Sequence, residues 1–287
     1  MIYALWQWLT TPVTPLARRH GFLTEAIGLY ARFQRCRAPW RRHYAQCAAQ
    51  ITQAMDQAQQ HRVCVILGAG LLEDMPLAEV SARFDQVWLV DMVFLRQARR
   101  KARAFANVRL LERDITGCLA QLSQHSAVDP QAVETDSPLG DWLAQVKADC
   151  VISLNLLTQL PLPMVAWWQA RGVDAHRLNA LAQQLIKAHC QGLIDSQLAG
   201  GVVCLITDQS IDEYSAQGEK IDQIDPLWGL DVRALLTERL PTSDIEGLQT
   251  TTWPWEAVPL SESGQDRVTR VHQVTAFRWA RYAAMGC

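Results

Sequence analysis

The residues best able to do chemistry stand where apolar runs of this chain come to an end. RVCVILGAG closes on Gly68, Ala69 and Gly70. Glycines at such a point let the backbone turn sharply and let a ligand come close. QVWLVDM closes on Asp91 and Met92, and Asp91 falls 21 residues after Gly70. A carboxylate placed there can accept hydrogen bonds from both hydroxyls of a ribose. NVRLLERDI closes on Asp114 and Ile115, an acceptor for an amino group beside an apolar side chain that can cover a ring face. DCVISLN closes on Asn155. The order is a glycine loop, two acids and an amide at successive run ends. Open parallel sheets bind ligands at the carboxyl ends of their strands, where the strand order reverses.

Two ligand classes share this arrangement, dinucleotides and S-adenosylmethionine. The third position of a dinucleotide fingerprint GxGxxG is Glu73 here, followed by Asp74. A dinucleotide site holds a pyrophosphate on the amides of a helix N-terminus. Two carboxylates at that point repel a pyrophosphate, whereas they suit the cationic sulfonium and ammonium of S-adenosylmethionine.

These residues need a scaffold that brings the run ends together. The runs starting at residue 62, QVWLVDM, NVRLLERDI, DCVISLN and GGVVCLITD alternate with helix-like stretches, including LRQARRKARAF and residues 176–198. Continuous apolar runs of this kind predict a parallel sheet covered on both faces. TTWPWEAV and TRVHQVTAFRW, joined by a polar stretch, predict a terminal antiparallel β-hairpin. Residues 123–140, rich in Ser, Asp and Pro, predict a surface excursion.

Ahead of the sheet, Phe22, Ala26, Leu29 and Phe33 share one helical stripe, and Trp40, Tyr44, Cys47 and Ile51 a second, with Pro39 between. Residues 1–60 carry seven Arg against Glu25 and Asp56, whereas the whole chain has a net charge of −2. That change of sign predicts a helical cap over 1–60 and a main domain over 61–287.

The ordered series resembles the class I S-adenosylmethionine-dependent methyltransferases over roughly residues 61–210. The resemblance implies a Rossmann-like α/β fold: a mainly parallel seven-stranded sheet with helices on both faces, the terminal hairpin and the N-terminal cap. It implies S-adenosylmethionine as cofactor, held by Gly68, Ala69, Gly70, Asp91, Met92, Asp114, Ile115 and Asn155, and methyl transfer to a small acceptor. Ile66 stands where the family has an acid two residues before the first glycine, and Leu72 where it has a small residue. Glu73 or Asp74 is then the candidate for the ammonium contact. An NAD-dependent dehydrogenase and a non-catalytic cofactor-binding or scaffold protein remain the alternatives.

Each site residue also has a structural use. The glycines can serve a tight turn alone, and Asp91, Asp114 and Asn155 can be caps. His189 falls on the stripe of Ala182, Ile186 and Leu193 and is expected in the core; His272 is expected to be structural. Asp208, ending the fifth run, is a further acceptor-site candidate. Tyr214 has no feature that favours catalysis over packing.

The eight cysteines form no CxxC pair, and no metal site is expected. Cysteines inside strand-like runs, with no disulfide framework and no signal peptide, point to the cytoplasm. RFQRCRAPWRRHY predicts a solvated basic helix face, with no nucleic-acid partner. Its arginines, from Arg32 to Arg42, would favour an anionic acceptor if they line the entrance. The apolar start MIYALWQWLTTPV is too short to span a bilayer. It is expected to dock on the body rather than on a membrane surface, so no membrane partner is expected. The apolar stripes leave a homodimer open.

Overall fold

The computed structural model describes residues 2–124, 138–196, 200–240 and 247–281. Four helices come first: α1 (Ile2–Thr10), α2 (Pro15–Arg19), α3 (Phe22–Arg35) and α4 (Arg37–Gln57). Then β1 (Val63–Leu67), α5 (Leu77–Arg83), β2 (Gln86–Asp91), α6 (Arg96–Ala102) and β3 (Val108–Glu112) follow. The short α7 (Gln121–Gln124) and α8 (Pro138–Val146) lead to β4 (Cys150–Leu154), α9 (Leu162–Gln169) and α10 (Ala175–Asp195). The chain ends with β5 (Val202–Tyr214), β6 (Lys220–Ile224), α11 (Val232–Arg239), β7 (Gln249–Val258) and β8 (Thr269–Ala280).

The strands form one sheet in the order β3-β2-β1-β4-β5-β8-β7, with β6 paired to the far end of β5. Strands β1 to β5 run parallel, and β8 and β7 are antiparallel. This is the Rossmann-like sheet with its terminal hairpin. The strand order reverses between β1 and β4, so the crevice for a ligand opens at their carboxyl ends. The eighth strand, β6, was not foreseen. The fifth apolar run ends at Asp208, but the strand continues to Tyr214 and folds back as a hairpin.

Both faces are covered, as the unbroken apolar runs require. Cys64, Ile66, Cys150, Ile152, Cys204 and Ile206 pack under α4 and α5. Val65, Leu67, Val151, Val203 and Leu205 pack under α8, α10 and α11. His189 lies on α10 in that second layer, fully buried and 2.9 Å from Ser153 Oγ. Of the predicted 123–140 excursion, residues 125–137 lie outside the described residues, and α8 already begins at Pro138.

The N-terminal region holds four helices, not two. The break between α3 and α4 falls at Cys36 rather than Pro39. Leu29 is exposed, because the buried face of α3 runs through Leu23 and Phe33. Helix α4 buries Trp40, Cys47, Ile51, Ala54 and Met55, the spacing of a helix laid on a sheet. It also buries His43 and Gln50. Gln50 meets Arg278 of β8, which donates to Gln50 Oε1 (2.9 Å), Gln57 Oε1 (2.9 Å) and Gln249 Oε1 (2.5 Å). A buried guanidinium is costly unless its N–H groups are satisfied. The glutamines of α4 therefore have a structural task. Among the described residues, no helix is long and apolar enough to cross a membrane.

Gln50→Leu keeps the volume and leaves one Arg278 N–H without an acceptor. It should cost about 1.5–3 kcal/mol, read as a lower urea midpoint at unchanged m-value. Adding Arg278→Met should recover much of that loss, because the unpaired charge is then gone.

Candidate functional site

The loop after β1 is built against the ends of its two neighbours. Gly68 (φ +78°) has no room for a side chain: a Cβ there would stand 2.5 Å from the Leu154 carbonyl oxygen of β4. Gly70 (φ +34°) donates its N–H to Asp91 Oδ2 at 2.8 Å. The N–H groups of Gly68 and Ala69 both donate to the Val90 carbonyl. The glycines thus draw the ends of β1, β2 and β4 together, which is a structural use whatever else they do.

Asp91 lies at the centre of this arrangement. Burial raises its pKa to about 6, against the lowering effect of the N–H groups of Gly70, Val93 and Met92. Asp74 belongs to the same charged group. Burial raises it to about 6 as well, opposed by a hydrogen bond from Asn155 Nδ2 at 3.1 Å and reinforced by the charges of Glu73 and Asp91. Neither carboxylate has a cationic partner among the described residues. Glu73 does: Lys101 Nζ stands 2.5 Å from its Oε1. Of the two candidates for the ammonium contact, Asp74 is therefore the one left without a counter-ion.

Asn155 holds a left-handed backbone (φ +49°) just past β4. Its Nδ2 also lies 3.3 Å from His43 Nε2, and its Oδ1 is buried with no hydrogen-bond partner. Asp114 is more fully engaged. Oδ1 accepts from Thr116 N–H and Oγ1, and Oδ2 from Leu119 N–H. Three of about four acceptor directions of that carboxylate are used to shape its own turn. Ile115 is buried with Leu67 and Val90, and Met92 is half-buried beneath the N-terminal helices.

On the far side of Asn155 stands a cluster that the sequence reading did not assemble. His43 Nδ1 accepts from Trp253 Nε1 at 3.0 Å, and its ring stacks on Trp255 at 4.0 Å. Burial lowers its pKa to about 3, so the ring is neutral. With Nδ1 accepting, the ring proton belongs on Nε2, where Cys47 Sγ at 3.5 Å can accept it. Trp255 lies 5.2 Å from the ring of His272, whose Nδ1 is 3.2 Å from Asp208 Oδ1. A bulge at Gln209 interrupts the β5–β8 register between Asp208 and Ser210. Bulges re-aim side chains in this way. His272, expected to be structural, thus reaches Asp208, the acceptor-site candidate. Tyr214 lies at the far end of β5, paired to β6.

His43 could have been found from the sequence. It lies three residues after Trp40 and four before Cys47, on the buried stripe of α4. A polar residue on such a stripe requires a partner. The tryptophans of the TTWPWEAV run carried no comparable signal. The arginines of the cap are exposed; Arg35 is held by Glu262 and Arg37 lies over Phe33.

The second fingerprint glycine and the next helix are also far apart. Helix α5 begins at Leu77, seven positions beyond Gly70, so Glu73 lies in a loop and not at a helix start. The glycine loop therefore offers no helix N-terminus to a pyrophosphate.

No family model and no curated protein matches the sequence. Solved structures with a similar arrangement include an S-adenosylmethionine-dependent methyltransferase from Clostridium acetobutylicum. It is 10% identical over 88% of this chain and 99% of that one, with a TM-score of 0.45. The N-methyltransferase NodS of Bradyrhizobium japonicum, in complex with S-adenosylhomocysteine, is 9% identical over 85% and 88%, at 0.41. A DhpI complex with SAH is 15% identical over 90% and 95%, at 0.38. Overlaps this loose carry no argument about ligand or activity, which rests on the geometry above.

Asp74 supplies a test by pH. Its folded pKa, about 6, is raised above its ordinary value. The native state therefore binds the extra proton between the two values, and stability is lost as pH rises through that window. Asp74→Asn removes the effect. Its advantage over wild type in thermal unfolding should be small near pH 4 and grow by about 1–3 kcal/mol up to pH 7. A difference independent of pH would show that this carboxyl is not perturbed.

Proposed function

We propose that the chain binds S-adenosylmethionine at the carboxyl ends of β1 to β4 and transfers its methyl group to a small acceptor. The observation that carries this reading is the pair Asp74 and Asp91. Both are half-buried carboxylates beside the glycine loop, each with its pKa raised to about 6, and neither has a cationic partner among the described residues. A buried charge needs a partner, or it takes up a proton instead. A cationic ligand supplies that partner; a pyrophosphate adds to the repulsion.

The residues fit the group as follows. Asp91 would accept from the ribose hydroxyls and Asp74 from the ammonium. Met92 and Ile115 would cover the adenine, and Asp114 has one acceptor direction left for its amino group. The cofactor supplies an activated methyl on a cationic sulfur, whose charge disappears in the transfer. The protein's part is alignment and the exclusion of water. Asn155, His43, Trp255, His272 and Asp208 would form the acceptor side. Asn155 Oδ1 is without a hydrogen-bond partner, and Asp208 Oδ1 faces the His272 ring nitrogen at 3.2 Å. They favour an acceptor that donates hydrogen bonds over one that presents an anion there.

Calorimetry is the test. S-adenosylmethionine or S-adenosylhomocysteine should bind and NAD should not; tighter binding of NAD would overturn the reading. Near pH 6 the binding enthalpy of S-adenosylmethionine should vary with the buffer, because a cation bound beside Asp74 and Asp91 releases their protons. Asp91→Ala should weaken binding by about 1.5–3 kcal/mol, roughly ten- to 150-fold in Kd. Unchanged affinity in that variant would remove Asp91 from the site.

A further inference from the structure

Helix α1 is amphipathic in the wrong sense for a helix docked on a protein body. Its inward residue is Gln7, 1% exposed, and Thr11 follows it, 2% exposed. Gln7 Nε2 donates to Gln97 Oε1 on α6 (2.8 Å) and to Tyr3 Oη (2.7 Å), and its Oε1 accepts from Thr11 Oγ1 (2.9 Å). The outward residues are apolar. Leu5 is 60% exposed and Leu9 64%, with Tyr3, Trp6 and Trp8 each above 40%. A soluble helix normally turns the other side to water. The bond from Gln7 to Gln97 ties this face to α6, and the Arg96 guanidinium donates to the Thr10 carbonyl at the helix end, so a roll of the helix would break contacts with the body.

The surroundings are basic. The Arg18 guanidinium lies 4.8 Å over the ring of Trp8, and that of Arg96 lies 4.9 Å over Trp6. Arg96, Arg100 and Arg103 follow at helical spacing on one exposed face of α6 and its end. Arg19 is also exposed. Residues 1–24 and 92–111 contain no Asp or Glu. Two tryptophans and a tyrosine among leucines, rimmed by Arg18, Arg96 and Arg100, which have no ion pair among the described residues, match the chemistry of an anionic lipid surface: rings at headgroup depth, aliphatic tips below, cations on the phosphates.

We propose that α1, with the arginines of α2 and α6, is a peripheral docking surface for an anionic bilayer. This reverses the sequence-based preference for a segment docked only on the body. It concerns contact with a membrane surface and not a span. The proposal does not depend on what the strand-end site binds.

Vesicle flotation of the full chain tests it. The protein should float with phosphatidylcholine vesicles containing roughly one-third phosphatidylglycerol, and at least about tenfold less with phosphatidylcholine alone. Raised salt should weaken the binding. Leu5→Ser/Trp8→Ser should lose flotation, and Arg96→Glu/Arg100→Glu should lose the preference for phosphatidylglycerol. All these side chains are exposed, so unchanged thermal unfolding is the control for folding. Failure to float, equal binding to both vesicles, or binding retained in Leu5→Ser/Trp8→Ser would overturn the proposal. So would concentration-dependent self-association in ultracentrifugation that the serine variant abolishes while vesicles are ignored; the covering partner would then be a second copy of the chain.

Discussion

Two half-buried carboxylates, with no cationic partner among the described residues, set the terms for the rest of this molecule. Asp91 closes β2, and Asp74 lies in the loop that follows β1. Every nearby element is arranged to hold them in place. Gly68 lets the loop pass within touching distance of β4, Gly70 gives its N–H to Asp91, and Asn155 gives its amide to Asp74. These neutral donors soften the burial but do not cancel it, since both carboxyls stay at about 6. A site that holds two carboxylates partly out of water with no cation beside them suits a positive ligand. The same condition works against a dinucleotide, whose phosphates would meet those charges without a helix N-terminus to offset them.

Helix α4 connects that charged centre to the terminal hairpin. One face of it contributes Trp40, His43 and Cys47. Trp40 Nε1 donates to the carbonyl of Ala257, at the bulge in β7, while His43 takes the Trp253 indole N–H and stacks on Trp255. Neutral His43 therefore stands between Asn155, just past β4, and the aromatic residues of β7. The N-terminal helices ahead of it cover the β2 side through Ala17, Leu23 and Phe33, packed with Leu71, Val93 and Leu95. This packing runs from the loops after β1 and β2 to Trp255 of the hairpin.

Much of this was legible from residue patterns. The apolar runs with their terminal Gly, Asp, Asp and Asn predict the strand ends, because a buried parallel strand leaves little choice of period. The hairpin is legible from two β-rich runs joined by a polar stretch. What stayed hidden has a common physical origin: polar residues on buried faces, whose partners are distant in sequence. Gln50 and Gln57 look like filler until Arg278 stands beside them, 221 or more positions away. His43 finds Trp253 across 210 positions. Strand β6 was missed because it is exposed throughout and has no apolar face to betray it. Leu29 and α1 erred in the opposite direction. Periodicity shows that a helix has an apolar face but not which side the fold will bury.

The central claim is that Asp74 serves as the counter-charge that the chain lacks at Ile66. A crystal structure of the chain with S-adenosylhomocysteine tests it most directly. The account predicts the ribose hydroxyls on Asp91 and the ammonium within hydrogen-bond distance of the Asp74 carboxylate. An ammonium held elsewhere, with Asp74 still bonded only to Asn155, would contradict it.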